Sequence, residues 1–123
     1  MKQILLVFLG GGLGSVLRYL ISKPLNFYFT NFYLGTFIVN IIGCLIIGFI
    51  LGISLKNSYF NENQILFLAT GFCGGFTTFS TFALENNSLL KNGDLLAFAL
   101  YTTLSITVGI FAVSLGIWLT KLS

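Results

Sequence analysis

The chain has 123 residues, of which 56% are hydrophobic and only 7% are charged, and its mean hydropathy is +0.98. A soluble domain carries about 25% charged residues, so this chain has too few polar groups to cover a surface in water. The lipid bilayer is therefore its expected solvent. The net charge of +3 is spread along the chain, which offers no patch to a nucleic-acid partner.

Four apolar segments follow one another along the chain, and charged or polar residues separate them. A helix that crosses a bilayer needs ~20 apolar residues. We therefore predict an all-α membrane protein with four transmembrane helices in a single domain, residues 1–123. The helices are expected at about residues 3–22, 32–55, 64–84 and 95–120, with connections at 27–32, 57–63 and 91–94. The first segment resembles a signal peptide without a cleavage site and is expected to remain as the first helix.

The third segment contains an unusual run at residues 71–82, GFCGGFTTFSTF. Glycines and hydroxyl residues stand where a lipid anchor would carry leucine, isoleucine or valine. This composition predicts that the third helix is broken near its middle. Free backbone groups survive at that depth only against protein or a wet cavity, so the run is expected to be a functional site. Cys44 and Cys73, without metal-ligand spacing, are expected to be small core residues.

The positive charges divide evenly between the two sides that four spans create. Three lie on each side, so the excess of positive residues that normally fixes orientation is missing. A chain that inserts both ways up could form a closed antiparallel dimer about an axis in the membrane plane; a tie in so small a set could also arise by chance. One side carries Lys2, Lys56 and Lys121, and the other carries Arg18, Lys23 and Lys91.

Small residues at a spacing of four let helix backbones approach closely, either within one subunit or between two. Such glycine pairs occur at Gly10 and Gly14, Gly48 and Gly52, and Gly71 and Gly75.

The acidic residues give little support to catalysis. Glu62, Glu85 and Asp94 are expected at or near helix ends, and the chain has no histidine. No acid–base pair or activated nucleophile can be assembled from these residues, so we do not expect an enzyme. The apparent lack of an acid inside the membrane also argues against proton-coupled transport.

Neutral polar residues inside the apolar segments are the better candidates for a site. Thr36 and Asn40 share one face of the second helix, and Tyr101 and Ser105 share one face of the fourth. An amide in hydrocarbon needs partners, so Asn40 serves either as a clamp between helices or as a donor of two N–H groups to an anion.

Phe79 and Phe82 are three residues apart and share a face of the third helix. The edge of an aromatic ring is positive, so two rings turned edge-on can solvate an anion without a formal charge. Packing is the more ordinary role of such a pair.

Three stretches resemble the signatures of the Fluc/CrcB family of fluoride channels, and they occur in the family's order. They are residues 10–19 (GGGLGSVLRY), 35–43 (GTFIVNIIG) and 74–82 (GGFTTFSTF). The resemblance covers the whole chain and implies an antiparallel, dual-topology homodimer with two narrow fluoride pores, each lined by both subunits. It also implies a structural Na⁺ at the dimer centre, held by the backbone carbonyls of Gly74 and Thr77 from each subunit.

The resemblance further assigns roles to side chains. Phe79 and Phe82 would turn their ring edges to fluoride, Asn40 would be the amide donor of the pore, and Arg18 would lie near the aqueous vestibule. The polar track would run through or beside Thr36, Ser80, Thr81, Tyr101 and Ser105. Gly109 stands where some relatives carry a second hydroxyl, which leaves the far end of that track open.

The implied function is a passive, fluoride-selective channel of the bacterial plasma (inner) membrane, which exports fluoride and confers fluoride resistance. A membrane potential that is negative inside drives an anion outward by ~2.3 kcal/mol per 100 mV, so no energy source is needed. One alternative is a small multidrug-type exporter, which would need a buried acid, usually in the first helix. The other is a pore-less membrane assembly protein, in which glycines and phenylalanines serve packing alone.

Overall fold

The computed structural model describes residues 1–28, 33–57 and 60–122, and these residues are almost wholly helical. Four stretches of them are long and apolar enough to cross a membrane. The predicted all-α architecture with four membrane-crossing helices is confirmed. The helices are α1 (Lys2–Tyr28), α2 (Leu34–Asn57), α3 (Glu62–Ile65, then a π-helix over Leu66–Cys73, then Gly74–Phe76), α4 (Ser80–Lys91) and α5 (Leu95–Lys121), and α3 with α4 makes one crossing.

Two pairs of parallel helices form the framework, α1 with α3 and α2 with α5. Glycines bring both pairs together: a Cβ atom at Gly14 would lie 2.8 Å from the Phe76 nitrogen, and one at Gly52 would lie 2.5 Å from the Thr120 hydroxyl. Contacts this short are essentially never made by real Cβ atoms. The glycine pairs noted in the sequence therefore pack within one subunit, where they let backbones touch.

Helix α1 is longer than the sequence indicates, because it passes through Pro24 and ends at Tyr28. The predicted end before Pro24 was wrong. The Asn26 side-chain oxygen accepts hydrogen bonds from the backbone amides of Gly35 (2.8 Å) and Thr36 (3.2 Å). These amides open α2 and have no partner in their own helix. Capping them anchors the last turn of α1 and offsets the hydrogen bond that proline cannot donate.

The third crossing is broken near its middle, as predicted, but the break lies after the glycines, at residues 77–79. Thr77 is extended (φ −91°, ψ 161°), which stops the helix. Gly75 instead serves close packing, since a Cβ atom there would lie 3.0 Å from Gly11 Cα. Helix α4 then runs to Lys91, well beyond the predicted end at residue 84.

The connections are shorter than the sequence suggests. Phe27 and Tyr28 are helical, whereas residues 29–32 and 58–59 lie outside the described residues. A capping box between Asn61 and Gln64 starts α3. Between α4 and α5 the chain turns at Gly93, whose φ of 75° favours glycine.

The core residues include one of the two cysteines. Cys73 is buried in a cluster with Ile50 and Ala69, while Cys44 is half-buried, and both thiols are free.

The close contact between α2 and α5 should not tolerate even one methyl group at Gly116. A Cβ atom there would lie 2.7 Å from the Phe49 nitrogen, so Gly116→Ala should force the helices apart and lower the free energy of unfolding by ~1–3 kcal/mol. Gly12→Ala is the matched control, because no atom of the described residues lies within 4 Å of a Cβ atom there. Unfolding in detergent followed by circular dichroism measures both; equal effects of the two variants would contradict the proposed packing.

Candidate functional site

A cavity of about 480 Å³ opens beside the break in the third crossing. Its walls come from α2, α3, α4 and α5 and are mostly apolar. The predicted site residues that line it are Asn40, Gly74, Thr77, Phe79, Phe82 and Ser105. The other predicted residues, Arg18, Thr36, Ser80, Thr81 and Tyr101, are not among those that line it. The structure thus gathers about half of the predicted set around one space.

Asn40 clamps the break from α2. Its Oδ1 accepts a hydrogen bond from the Thr78 amide at 2.8 Å, and its Nδ2 donates one to the Thr78 carbonyl at 3.1 Å. A backbone that leaves its helix inside a membrane must find such partners within the protein. The clamp role is therefore observed. Since one Nδ2 hydrogen is used, Asn40 has one N–H group left for an anion rather than the two considered from the sequence.

Arg18 reaches the same break from α1. Its Nε donates a hydrogen bond to the Gly75 carbonyl at 3.0 Å, and the Ser15 hydroxyl donates to the same oxygen at 3.4 Å. The predicted end of the first helix at residue 22 put Arg18 near that end, among the charges that flank the membrane; this was wrong, because α1 continues to Tyr28. Arg18 lies about halfway along α1 and is half-buried; its expected vestibule role stays a prediction.

Thr78 completes the break. Its hydroxyl accepts a hydrogen bond from the Thr81 amide at 3.2 Å, which caps the start of α4, and lies 3.5 Å from the Ser80 hydroxyl. Sequence reasoning missed this residue, although a threonine just before a helix is a typical cap.

The two phenylalanines form a tilted pair at the cavity. Their ring centroids are 6.0 Å apart with 47° between the planes, and Phe82 also lies 5.1 Å from the Tyr101 ring at 56°. Phe79 is 78% exposed in the single chain. Packing within one subunit therefore does not explain its position.

Ser105 carries an unpaired hydroxyl in the wall of the cavity. Within residues 1–28, 33–57 and 60–122, its Oγ is the only buried side-chain nitrogen or oxygen without a hydrogen-bond partner. Leaving a buried donor unsatisfied costs ~1–3 kcal/mol. Such a group suggests that the cavity holds water or a ligand that accepts this hydrogen bond.

Glu85 is the functional candidate that the sequence misplaced. It was expected near a helix end, but α4 continues past it and its side chain is only 7% exposed. Its carboxylate accepts hydrogen bonds from the Tyr101 and Thr36 hydroxyls, both at 2.7 Å, and from Asn26 Nδ2 at 3.4 Å. Two predicted pore hydroxyls are therefore directed to Glu85. Helical spacing from Phe82 was the signal that could have placed Glu85 on a buried face.

Two carbonyls at the break remain available to a cation. No hydrogen bond among the described residues reaches the oxygens of Gly74 or Thr77, because the Thr78 amide goes to Asn40 and the Thr81 amide goes to Thr78. The described residues contain no group of three histidine, cysteine or acidic side chains that could hold a metal. Main-chain oxygens fit a hard cation such as Na⁺.

Comparison with known proteins identifies the family. The sequence model of the family described as CrcB-like protein, Camphor Resistance (CrcB), matches residues 5–117. A relative from Gloeothece citriformis is 53% identical over 122 residues and one from Azobacteroides pseudotrichonymphae is 48% identical over 122, each alignment covering 98% of both chains. A relative from Phocaeicola vulgatus is 48% identical over 124 residues, covering 98% of this chain and 100% of its own.

All three relatives are named fluoride-specific ion channel FluC. The family match extends from α1 into α5 and so includes the break and its clamps. The resemblance seen in the three motifs is confirmed, and the chain belongs to the CrcB-like family.

Proposed function

We propose that this protein is a fluoride-selective passive channel that exports fluoride across the bacterial plasma membrane. Relatives of nearly equal length carry that name. The observation that carries the proposal is the cavity at the break, where the unpaired Ser105 hydroxyl and two tilted phenylalanine rings share one space.

The chemistry of the cavity suits a small, strongly hydrated anion. A pore must replace its water with hydrogen-bond donors and positive edges. Ser105 offers a hydroxyl, Asn40 offers its remaining N–H group, and Phe79 and Phe82 offer ring edges. Among the residues that the structure describes, no charged side chain lines the space. Fluoride can therefore bind and still leave, since a full positive charge would hold it more tightly.

We propose that two antiparallel copies complete the pores. In one chain the cavity is open and Phe79 is mostly exposed, and α4 packs chiefly against α5. A second copy on this face would cover these groups and enclose two paths. With Arg18 assigned to the middle of α1, the flanking positive charges are three against two, which still gives little preference for one orientation.

The proposed structural Na⁺ would lie on the axis between the copies. The carbonyls of Gly74 and Thr77 have no hydrogen-bond donor among the described residues, and nothing lies within 4 Å of the position a Cβ would take at Gly74. Oxygens from both subunits would hold the ion, which would supply the positive charge that the free carbonyls need.

The buried acid Glu85 is the one feature that favours a proton-coupled exporter. It is on α4 rather than α1, and both of its oxygens accept hydroxyl hydrogen bonds. Glu85 is also not among the residues that line the cavity. We therefore assign it a structural role between α2, α4 and α5.

Purified protein in liposomes loaded with KF or KCl should release fluoride rapidly and chloride negligibly when valinomycin is added. Potassium leaving through valinomycin provides the driving force, so a passive channel needs nothing else. Ion-selective electrodes follow both anions. Absence of efflux for either ion, from protein shown to be folded, would rule out the proposed channel.

Phe79→Ile and Phe82→Ile should each lower fluoride efflux by about tenfold or more, because the loss of one ring–anion contact worth ~1.4 kcal/mol changes a rate tenfold. Phe111→Ile is the matched control, since Phe111 is an exposed ring on α5 that does not line the cavity. Unchanged efflux in both pore variants, with normal size-exclusion profiles, would show that the rings serve packing alone.

Ser105→Ala should separate stability from conduction. Removing a buried, unpaired hydroxyl should leave the melting temperature unchanged or higher, while fluoride efflux falls about tenfold for a lost donor. Thr107→Ala is the control, because that hydroxyl donates to the Thr103 carbonyl of its own helix at 2.7 Å. If Ser105→Ala lowers the melting temperature and spares efflux, Ser105 is a packing residue.

A further inference from the structure

One face of α1 packs against the end of α3 at the break. Along this face, glycines come first and hydrogen-bond donors follow. Gly11 and Gly14 make backbone contact with α3, which the lack of a side chain at Gly14 and at Gly75 permits, and Ser15 and Arg18 then reach the Gly75 carbonyl. The spacing of three, four and seven residues places all four on one helix face. The two glycines therefore bring the two donors within reach of the break.

The Gly75 carbonyl needs these donors because the break removes its helical partner. In a continuous helix the amide of residue 79 would donate to it, but extended Thr77 moves that amide away. Arg18 Nε stands in its place at 3.0 Å. An arginine in the middle of a membrane-crossing helix is expected to have a function, and this one directs its Nε to a main-chain carbonyl.

We propose that Arg18 is a positioning residue, which holds the break in its conducting shape as an N–H donor to Gly75 rather than as a positive charge that attracts the anion. The inference rests on the proposed channel function. It follows that the Gly75 carbonyl is held toward α1, while the neighbouring Gly74 and Thr77 carbonyls stay free of protein donors.

Three substitutions separate the donor from the charge. In glutamine, Nε2 follows Cδ just as Nε does in arginine, so Arg18→Gln keeps an N–H donor at the observed contact and removes the charge. Arg18→Met has a similar length but no donor, and Arg18→Lys keeps the charge but moves the donor one atom further along the chain. Arg18→Gln should retain fluoride efflux within about threefold, whereas Arg18→Met and Arg18→Lys should lose about tenfold or more.

The opposite order of fluoride efflux among the Arg18 variants would overturn the proposal. If Arg18→Lys conducts like the wild type and Arg18→Gln is as slow as Arg18→Met, the charge acts directly on the anion. If all three variants conduct normally or all are equally slow, the donor does not set the shape of the break. Should Arg18→Met fail to fold, the comparison of Arg18→Gln with Arg18→Lys still decides.

A control and a second readout complete the test. Lys23→Met removes a positive charge from an exposed site on the same helix and should conduct normally; an equal loss there would show a general charge effect.

Hydrogen exchange at the Thr78 amide, which donates to Asn40, should quicken about tenfold in Arg18→Met but not in Arg18→Gln. Exchange at the capping-box amide of Gln64 should be constant. Because exchange needs no fluoride current, failure of the proposed channel function and failure of this inference are distinguishable.

Discussion

A helix that breaks inside a membrane must have its freed backbone groups satisfied by the protein, and the rest of this structure depends on that requirement. Three elements answer it: Asn40 from α2 pairs with both backbone groups of Thr78, Arg18 from α1 reaches the Gly75 carbonyl, and the Thr78 hydroxyl caps α4. The three partners come from α2, from α1 and from the break itself. The break is therefore a junction that fixes how α1 and α2 lie against the third crossing.

Close helix packing at glycines brings Arg18 and Asn40 within hydrogen-bonding distance of the break. Arg18 on α1 reaches a carbonyl of α3 where the two backbones nearly touch, a contact that Gly14 and Gly75 permit. The same arrangement between α2 and α5 holds α2 in place behind the Asn40 clamp. In a bilayer, where apolar side chains gain little by leaving lipid, such close van der Waals contact is the main source of helix association. The geometry of the break therefore depends on the helix packing.

The sequence predicted the features that depend on local composition. Four apolar segments and the run at residues 71–82 were enough to predict four crossings and a break, and side-chain spacing identified Asn40 and Ser105. It failed where a charged residue lies inside a helix. Glu85 was predicted near a helix end because a charge is normally at a surface. Its spacing from Phe82 points to a buried face, but the hydroxyls that bind it there, such as that of Tyr101, come from residues distant in sequence. Whether a hydroxyl such as that of Thr36 or Tyr101 points to the cavity or to Glu85 also depends on residues far away in sequence, which no local pattern encodes.

The half-buried Arg18 and the buried Glu85 share one property that bears on conduction. Arg18 and Glu85 each lie next to the site, yet neither lines the cavity, and each is held by groups outside it. A carboxylate in the path would repel a passing anion, and a guanidinium there would retain it. Arg18 and Glu85 lie outside the cavity lining, where they stabilise the packing of the helices, and the side chains that line the cavity are neutral. Selection among halide ions would then rest on how closely a small anion meets the Ser105 hydroxyl and the ring edges, because hydrogen-bond donors at a fixed distance favour the ion that can approach them most closely.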